Sequence, residues 1–169
     1  MAIIEQFLGK TVNIPEDREY DFRENLWAKS ETGVIIFGLT EPALVLYGGL
    51  NDLDWLVDES QAVEQGEAVI FALTSKILYV NTPISGSICF NDKLKQNPSM
   101  ILDDPYGQGW LFKITVKGDD KSFINTLADA DTYIKSLAGS EGYKNPLGLK
   151  GGVSGICKAV YTGITGQNL

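Results

Sequence analysis

Hydrophobic positions along this 169-residue chain come mostly in short runs separated by turn residues. The clearest are VIIFG (34–38), ALVLYGG (43–49), LDWLV (53–57), EAVIFAL (67–73), KILYVN (76–81), GSICFN (86–91) and WLFKITV (110–116). Runs this short, rich in β-branched and aromatic residues and bounded by Gly, Pro, Asn and Asp, predict strands. Seven of them together predict a β-sandwich or barrel. In the last run Trp110, Phe112, Ile114 and Val116 share one face, while Lys113 and Thr115 fall on the other with Leu111. IFALTSKILYVNTPISG (70–86) reads as two apolar strands joined by a tight turn, with Ser75 and Lys76 at the tip.

The period changes in KSFINTLADADTYIKSLAG (121–139). Phe123, Leu127, Ala130, Ile134 and Leu137 recur every three or four residues, which predicts one helix, stopped by Gly139. IIEQFL (3–8) predicts a second, short helix near the start. From Gly139 onward the chain holds 8 of its 18 glycines in 31 residues, so the reading divides it into a main domain, 1–138, and a glycine-rich extension, 139–169. The extension is either a flexible terminus or a docking segment with a short helix near 156–161, since Ile156, Val160 and Tyr161 are more apolar than a linker requires.

Charge and composition remove whole classes of function. The net charge is −8 and the pI about 4.5, which argues against nucleic acid as a partner and for a basic protein surface. Histidine is absent, so triads, His general bases and His-ligated metals are excluded. Cys89 and Cys157 are too few for a disulfide framework or a Cys-rich zinc site. Cys89 is expected to be a small core residue and Cys157, given an exposed extension, the more reactive of the two. No run is long enough to span a bilayer and no cleavage site follows the first residues, so the expected compartment is the cytoplasm.

Catalytic signatures are missing as well. There is no phosphate-binding glycine loop and no nucleophile elbow. Asp52, Asp54, Asp58 and Glu59 lack the glycine and final glutamate of a calcium loop and read as a solvated strand edge or loop. Asp129 and Asp131 are two apart in a helical stretch and do not share a face. The expectation is a protein without a catalytic site of its own.

The order of motifs around the hairpin is specific. Pro83-Ile84-Ser85-Gly86, Asn91, Asn97-Pro98 and Asp104-Pro105-Tyr106-Gly107-Gln108-Gly109-Trp110 follow it. Trp27, Gly33-Val34, Gly38-Leu39-Thr40 and Gly66-Glu67 precede it, and Asp129-Ala130-Asp131-Thr132-Tyr133 closes the series. This arrangement resembles the H protein of the glycine cleavage system over roughly residues 14–138. The resemblance implies a lipoyl-domain-like β-sandwich, a barrel-sandwich hybrid, with flanking helices. In that family a lipoyl arm on a hairpin lysine carries an aminomethyl group from a decarboxylase to a transferase and is reoxidised by a dehydrogenase.

The family's hairpin reads Glu-Ser-Val-Lys-Ala, with the lysine eight residues before the proline of the next turn. Here that position is Ser75, the glutamate position is Ala72, and the lysine, Lys76, stands one place later. A one-residue slip in a strand reverses the face a side chain takes, although a bulge can absorb it. The leading expectation is therefore a divergent H-protein-like protein without a cofactor, acting in binding, scaffolding or regulation. The alternative is a working carrier with lipoate on Lys76. Expected partners are proteins, among them basic-surfaced enzymes of a glycine-cleavage-like or lipoate-dependent system. The extension would fold onto the sandwich or cover the groove where a lipoyl arm would rest.

Overall fold

A computed structural model describes residues 1–149. These residues hold eleven strands: β1 (Ala2–Phe7), β2 (Lys10–Ile14), β3 (Glu19–Asp21), β4 (Leu26–Glu31), β5 (Val34–Leu39), β6 (Asp52–Trp55), β7 (Ala62–Val63), β8 (Ala68–Leu73), β9 (Ile77–Asn81), β10 (Gly86–Phe90) and β11 (Phe112–Thr115). Among the described residues six short helices accompany them: α1 (Glu41–Leu46), α2 (Lys93–Gln96), α3 (Met100–Asp103), α4 (Asp120–Ile124), α5 (Ala130–Ser136) and α6 (Glu141–Lys144), with a 3-10 turn at Leu137–Gly139.

The strands form three antiparallel sheets. The largest runs β3-β4-β5-β11-β10-β7, the second β6-β8-β9, and β1-β2 is a separate hairpin. Inward residues of the two larger sheets share one core, in which Leu26, Ala28, Ile35, Phe37, Phe112 and Ile114 meet Leu53, Val69, Ile70, Ala72 and Val80. A second cluster lies under the β1-β2 hairpin. There Phe7, Val12 and Ile14 pack with Tyr20, Trp27, Ala130, Tyr133 and Leu137. The fold is a mainly β, lipoyl-domain-like sandwich with flanking short helices, as the motif order implies.

Two segments take the opposite secondary structure from their expected one. ALVLYGG lies largely in α1. Thr40 caps it, its Oγ1 accepting from Ala43 N at 3.1 Å, and Pro42 sits in the first turn. Gly48 and Gly49 follow at φ 75° and 94°, a conformation that stops a helix. IIEQFL lies mainly in β1, because pairing with β2 (Ile3 opposite Asn13, Ile4 opposite Val12) satisfies its backbone. Propensity in six residues is too weak to oppose that pairing.

The single helix expected over 121–139 is two, broken between Ile124 and Ala130. Asp119 caps α4, accepting from Lys121 N at 3.0 Å, and Asp129 caps α5, accepting from Thr132 N at 2.8 Å. Between them Ala128 pairs with Tyr20, and this bridge interrupts the helical pattern.

Residues 140–149, the first part of the extension, pack against the β1-β2 hairpin. Gly142 has the Phe7 ring where a Cβ would stand, and Tyr143 meets Phe7 edge to face at 5.8 Å. The helix expected near 156–161, and Cys157 with it, lie outside the described residues.

Candidate functional site

The hairpin made by β8 and β9 is the candidate site. Leu73 pairs with Ile77, Ala72 with Leu78, Phe71 with Tyr79 and Ile70 with Val80. Three residues, Thr74, Ser75 and Lys76, therefore form the loop, with Ser75 in the middle. The register shift in this hairpin lies between Ala68 and Ile70, in the arm before the tip. That bulge lets Val69 and Ile70 both enter the core. The arm leading to Pro83 pairs residue for residue from Ile77 to Val80.

Hydrogen bonds hold the loop from two sides. Thr74 N and Oγ1 both donate to Lys76 O at 2.8 Å, and Lys76 N donates to Thr74 Oγ1 at 3.0 Å. Ser75 turns the other way. Its N and Oγ donate to Tyr47 O, just past α1, at 3.1 and 2.8 Å. Gly48 follows Tyr47 at φ 75°, where a Cβ would lie 3.1 Å from Ser75 Oγ. Lys76 is exposed, and among the described residues its amine forms no ion pair.

The strand pairings lay out the outer face of the small sheet as two rows. One reads Asp54, Phe71, Tyr79 and the other Asp52, Leu73, Ile77. Ile77 and Tyr79 are 63% and 54% exposed, so the strand after the tip presents apolar side chains to solvent. The expected solvated acidic edge is present. Lys95 Nζ sits 2.8 Å from Asp54 Oδ1 and holds that carboxyl below the usual carboxylate range. Among the described residues no group of three or more acidic or cysteine side chains is arranged to hold a metal.

Beside the tip lies an open cleft of about 470 Å³. Lys10 and Thr11 of β2 form one wall, Glu41, Leu44 and Val45 of α1 another, and Gly48, Gly49 and Leu102 complete it. Gly48 belongs to this lining and also touches Ser75, so tip and cleft adjoin.

The motif residues act as framework. Tyr106 OH donates to Asn13 O at 2.6 Å and accepts from Glu41 N at 3.0 Å, tying β2 to the start of α1. Trp27 Nε1 donates to Pro105 O at 2.9 Å, and Arg18 lies over the Trp27 ring at 4.6 Å while donating to Tyr106 O. Tyr133 stacks on Tyr20 at 4.8 Å and shares a 2.6 Å hydrogen bond with Thr40 Oγ1. Burial pushes the phenols of Tyr20, Tyr106 and Tyr133 well above their ordinary range, so all three stay neutral.

The family description "Glycine cleavage H-protein" matches residues 18–140. The chain belongs to the glycine cleavage H-protein family. It is 37% identical to the glycine cleavage system H protein of Alteromonas mediterranea over 74% of this chain and 96% of that one. It is 34% identical to the probable glycine cleavage system H protein of Aeropyrum pernix, over 66% and 77%. The crystal structure of a glycine cleavage system H protein from Mycobacterium marinum superposes with a TM-score of 0.59 at 27% identity, covering 76% of this chain and 99% of that one. H proteins are carriers without a catalytic site of their own, and this chain is a non-enzyme of that kind. No helix of the described residues is long and apolar enough to cross a membrane.

Two residues take roles that the sequence pattern did not show. Cys89, expected in the core, is exposed. It alternates with Ile88 and Phe90, which take the inward face, so an apolar run hid an outward position. Hydrogen bonding to Glu59, with some burial, pushes its thiol up from the ordinary value. Tyr47, read as part of a strand, supplies the carbonyl that anchors Ser75. Its signal was Thr40-Glu41-Pro42 upstream and Gly48-Gly49 downstream, a helix start and stop.

Proposed function

We propose that this chain is an H-protein-like protein that works by binding to protein partners, with no lipoyl group at its tip. The observation that carries this reading is the placement of Ser75. In this reading Ser75, eight residues before Pro83, takes the family's lysine position, and the unshifted pairing of that arm supports the count. It is tied to Tyr47 O through both its N and its Oγ. Adjacent residues at a hairpin tip project in different directions, so a ligase that reads the lysine by position would meet a serine instead of Lys76, one place on. The glutamate position is Ala72, buried in the core. Partners in this reading are the enzymes of a glycine-cleavage-like or lipoate-dependent system in the cytoplasm, or a standard H protein, met through basic surfaces that complement the −8 charge.

A second reading is a working lipoyl carrier. Exposed Lys76 at the tip favours it, as do relatives that bear the name glycine cleavage system H protein. Intact mass of the protein from its native host separates the two. An unmodified mass, with a standard H protein from the same cells fully modified, supports the binding role. One lipoyl group mapped to Lys76 overturns it. Ser75→Lys, made with Lys76→Ala, is expected to gain the modification in a host supplying the organism's own lipoate ligase and lipoate.

A further inference from the structure

We propose that β9 is a pairing edge for a second copy of this chain, the two β9 strands running antiparallel about a two-fold axis at Tyr79. The sheet order β6-β8-β9 leaves β9 with a neighbour on one side only. Just past β9, Thr82 N donates to Glu67 O at 2.9 Å and Thr82 O accepts from Gly66 N at 2.8 Å, so Thr82 turns both groups toward the β8 arm. Backbone direction alternates along an antiparallel strand. Asn81, Tyr79 and Ile77 therefore turn their N–H and C=O groups to the open edge. Leu73, opposite Ile77, agrees with this: its carbonyl turns away from β9 and accepts from Asn51 N at 2.7 Å. Among the described residues no other segment bonds to that edge.

Proteins keep a free edge from pairing with charged side chains, proline or a bulge. β6, the other edge of this sheet, has such protection: Asp52 and Asp54 lie on it, and Lys95 of α2 reaches Asp54 at 2.8 Å. The β9 sequence, ILYVN, holds no charge and no proline. It pairs with β8 without a shift from Ile77 to Val80, and Ile77 and Tyr79 stand in solvent. β9 is thus an apolar strand with an unprotected edge.

The charges of the hairpin select a second copy as the occupant. Its tip carries Lys76 and its other end Glu64 and Glu67, and among the described residues none of the three forms an ion pair. With the two Tyr79 residues opposite each other, Ile77 meets Asn81 of the other copy, and each such pair exchanges two hydrogen bonds. Lys76 then meets Thr82 of the other copy, and Glu67 stands beside Thr82 in its own hairpin. Both ends of the joint bring a cation to a carboxylate, whereas parallel pairing would bring like charges together. Phe71 and Tyr79, whose rings meet at 5.7 Å, form one apolar surface across the joint with those of the other copy. Whole chains at −8 repel at long range, but at physiological salt that repulsion is screened over about 8 Å, and β9 itself is uncharged. The two tips lie about 20 Å apart at opposite ends of the joint, at ~3.4 Å per residue. The backbone joint does not depend on what Lys76 carries, which intact mass reports separately.

Sedimentation equilibrium of the full chain tests it. A monomer–dimer equilibrium with a dissociation constant below about 1 mM is expected. Tyr79→Pro removes an N–H that points to the open edge, a change an edge strand tolerates. It is expected to weaken the dimer about tenfold or more, with the circular dichroism of the folded chain kept. Cross-linking tests the same joint without that variant. In a Cys89→Ser, Cys157→Ser background, Tyr79→Cys puts two thiols opposite each other at the axis, with Cα atoms about 5.5 Å apart, within disulfide reach. Asp52→Cys, on the β6 edge, is the control. Under mild oxidation Tyr79→Cys is expected to give linked dimers about tenfold or more faster than Asp52→Cys, because the joint raises the local thiol concentration. A chain that stays monomeric up to about 1 mM, equal cross-linking rates, or a folded Tyr79→Pro chain with its dimer undiminished overturns the proposal.

Discussion

Two ends of the molecule differ in how their side chains are held. Around the β1-β2 hairpin, Tyr20 and Tyr133 stack on each other, Tyr133 bonds to the Thr40 side chain, and Trp27 and Tyr106 bond to backbone atoms far away in sequence. At the β8-β9 tip, Lys76, Ile77 and Tyr79 stand in solvent, and the bonds are those of a local loop plus the anchor from Ser75 to Tyr47. Part of the motif set that identifies the family, Trp27, Tyr106 and Tyr133, lies in the first region, where substitution would cost stability. The tip residues lie in the second, where a residue is free to change without unfolding the protein. Family membership thus rests on residues other than those of the tip.

The largest effect is expected from Tyr133→Ala, which removes the stack on Tyr20 and the hydrogen bond to Thr40. Urea unfolding should show a loss of about 3–5 kcal/mol, typical of deleting a buried aromatic ring. Tyr106→Phe keeps the ring but leaves Asn13 O and Glu41 N without their partner, at about 1–3 kcal/mol. Ile77→Ser and Tyr79→Ser, at the tip, should each change stability by no more than about 0.5 kcal/mol. A tip variant that costs more than Tyr106→Phe would break the contrast between the two ends.

The smallest expected effect is on Cys89. Its thiol lies above the ordinary range chiefly because of Glu59, so its thiolate fraction at neutral pH is reduced and alkylation by iodoacetamide should rise only above the pH usual for a free cysteine. Glu59→Gln weakens that cause and should shift the rate profile to lower pH, with faster labelling at neutral pH. An unchanged profile would show that Glu59 does not govern the thiol.

Strands were legible in the chain wherever a run of β-branched and aromatic residues was bounded by turn residues, as in β5, β8, β9 and β10. The tip itself was legible down to its residues. α1 was obscured because Leu44, Val45 and Leu46 suit strand and helix alike, and a continuous apolar run carries no period. The break between α4 and α5 was obscured for a different reason. The bridge from Ala128 to Tyr20 is a contact across more than a hundred residues, and no local window contains it.

By itself the sequence determined the family, the sandwich and the residues of the hairpin tip, because these rest on residue identity and on spacing along the strands. Only the tertiary structure decided what each of those residues does. It turned Ser75 back onto Tyr47, placed Gly48 between tip and cleft, and brought residues 145–149 to Leu8 and Gly9. Spacing sets which face a side chain takes, but which distant backbone it meets depends on how the sheets and short helices pack against one another.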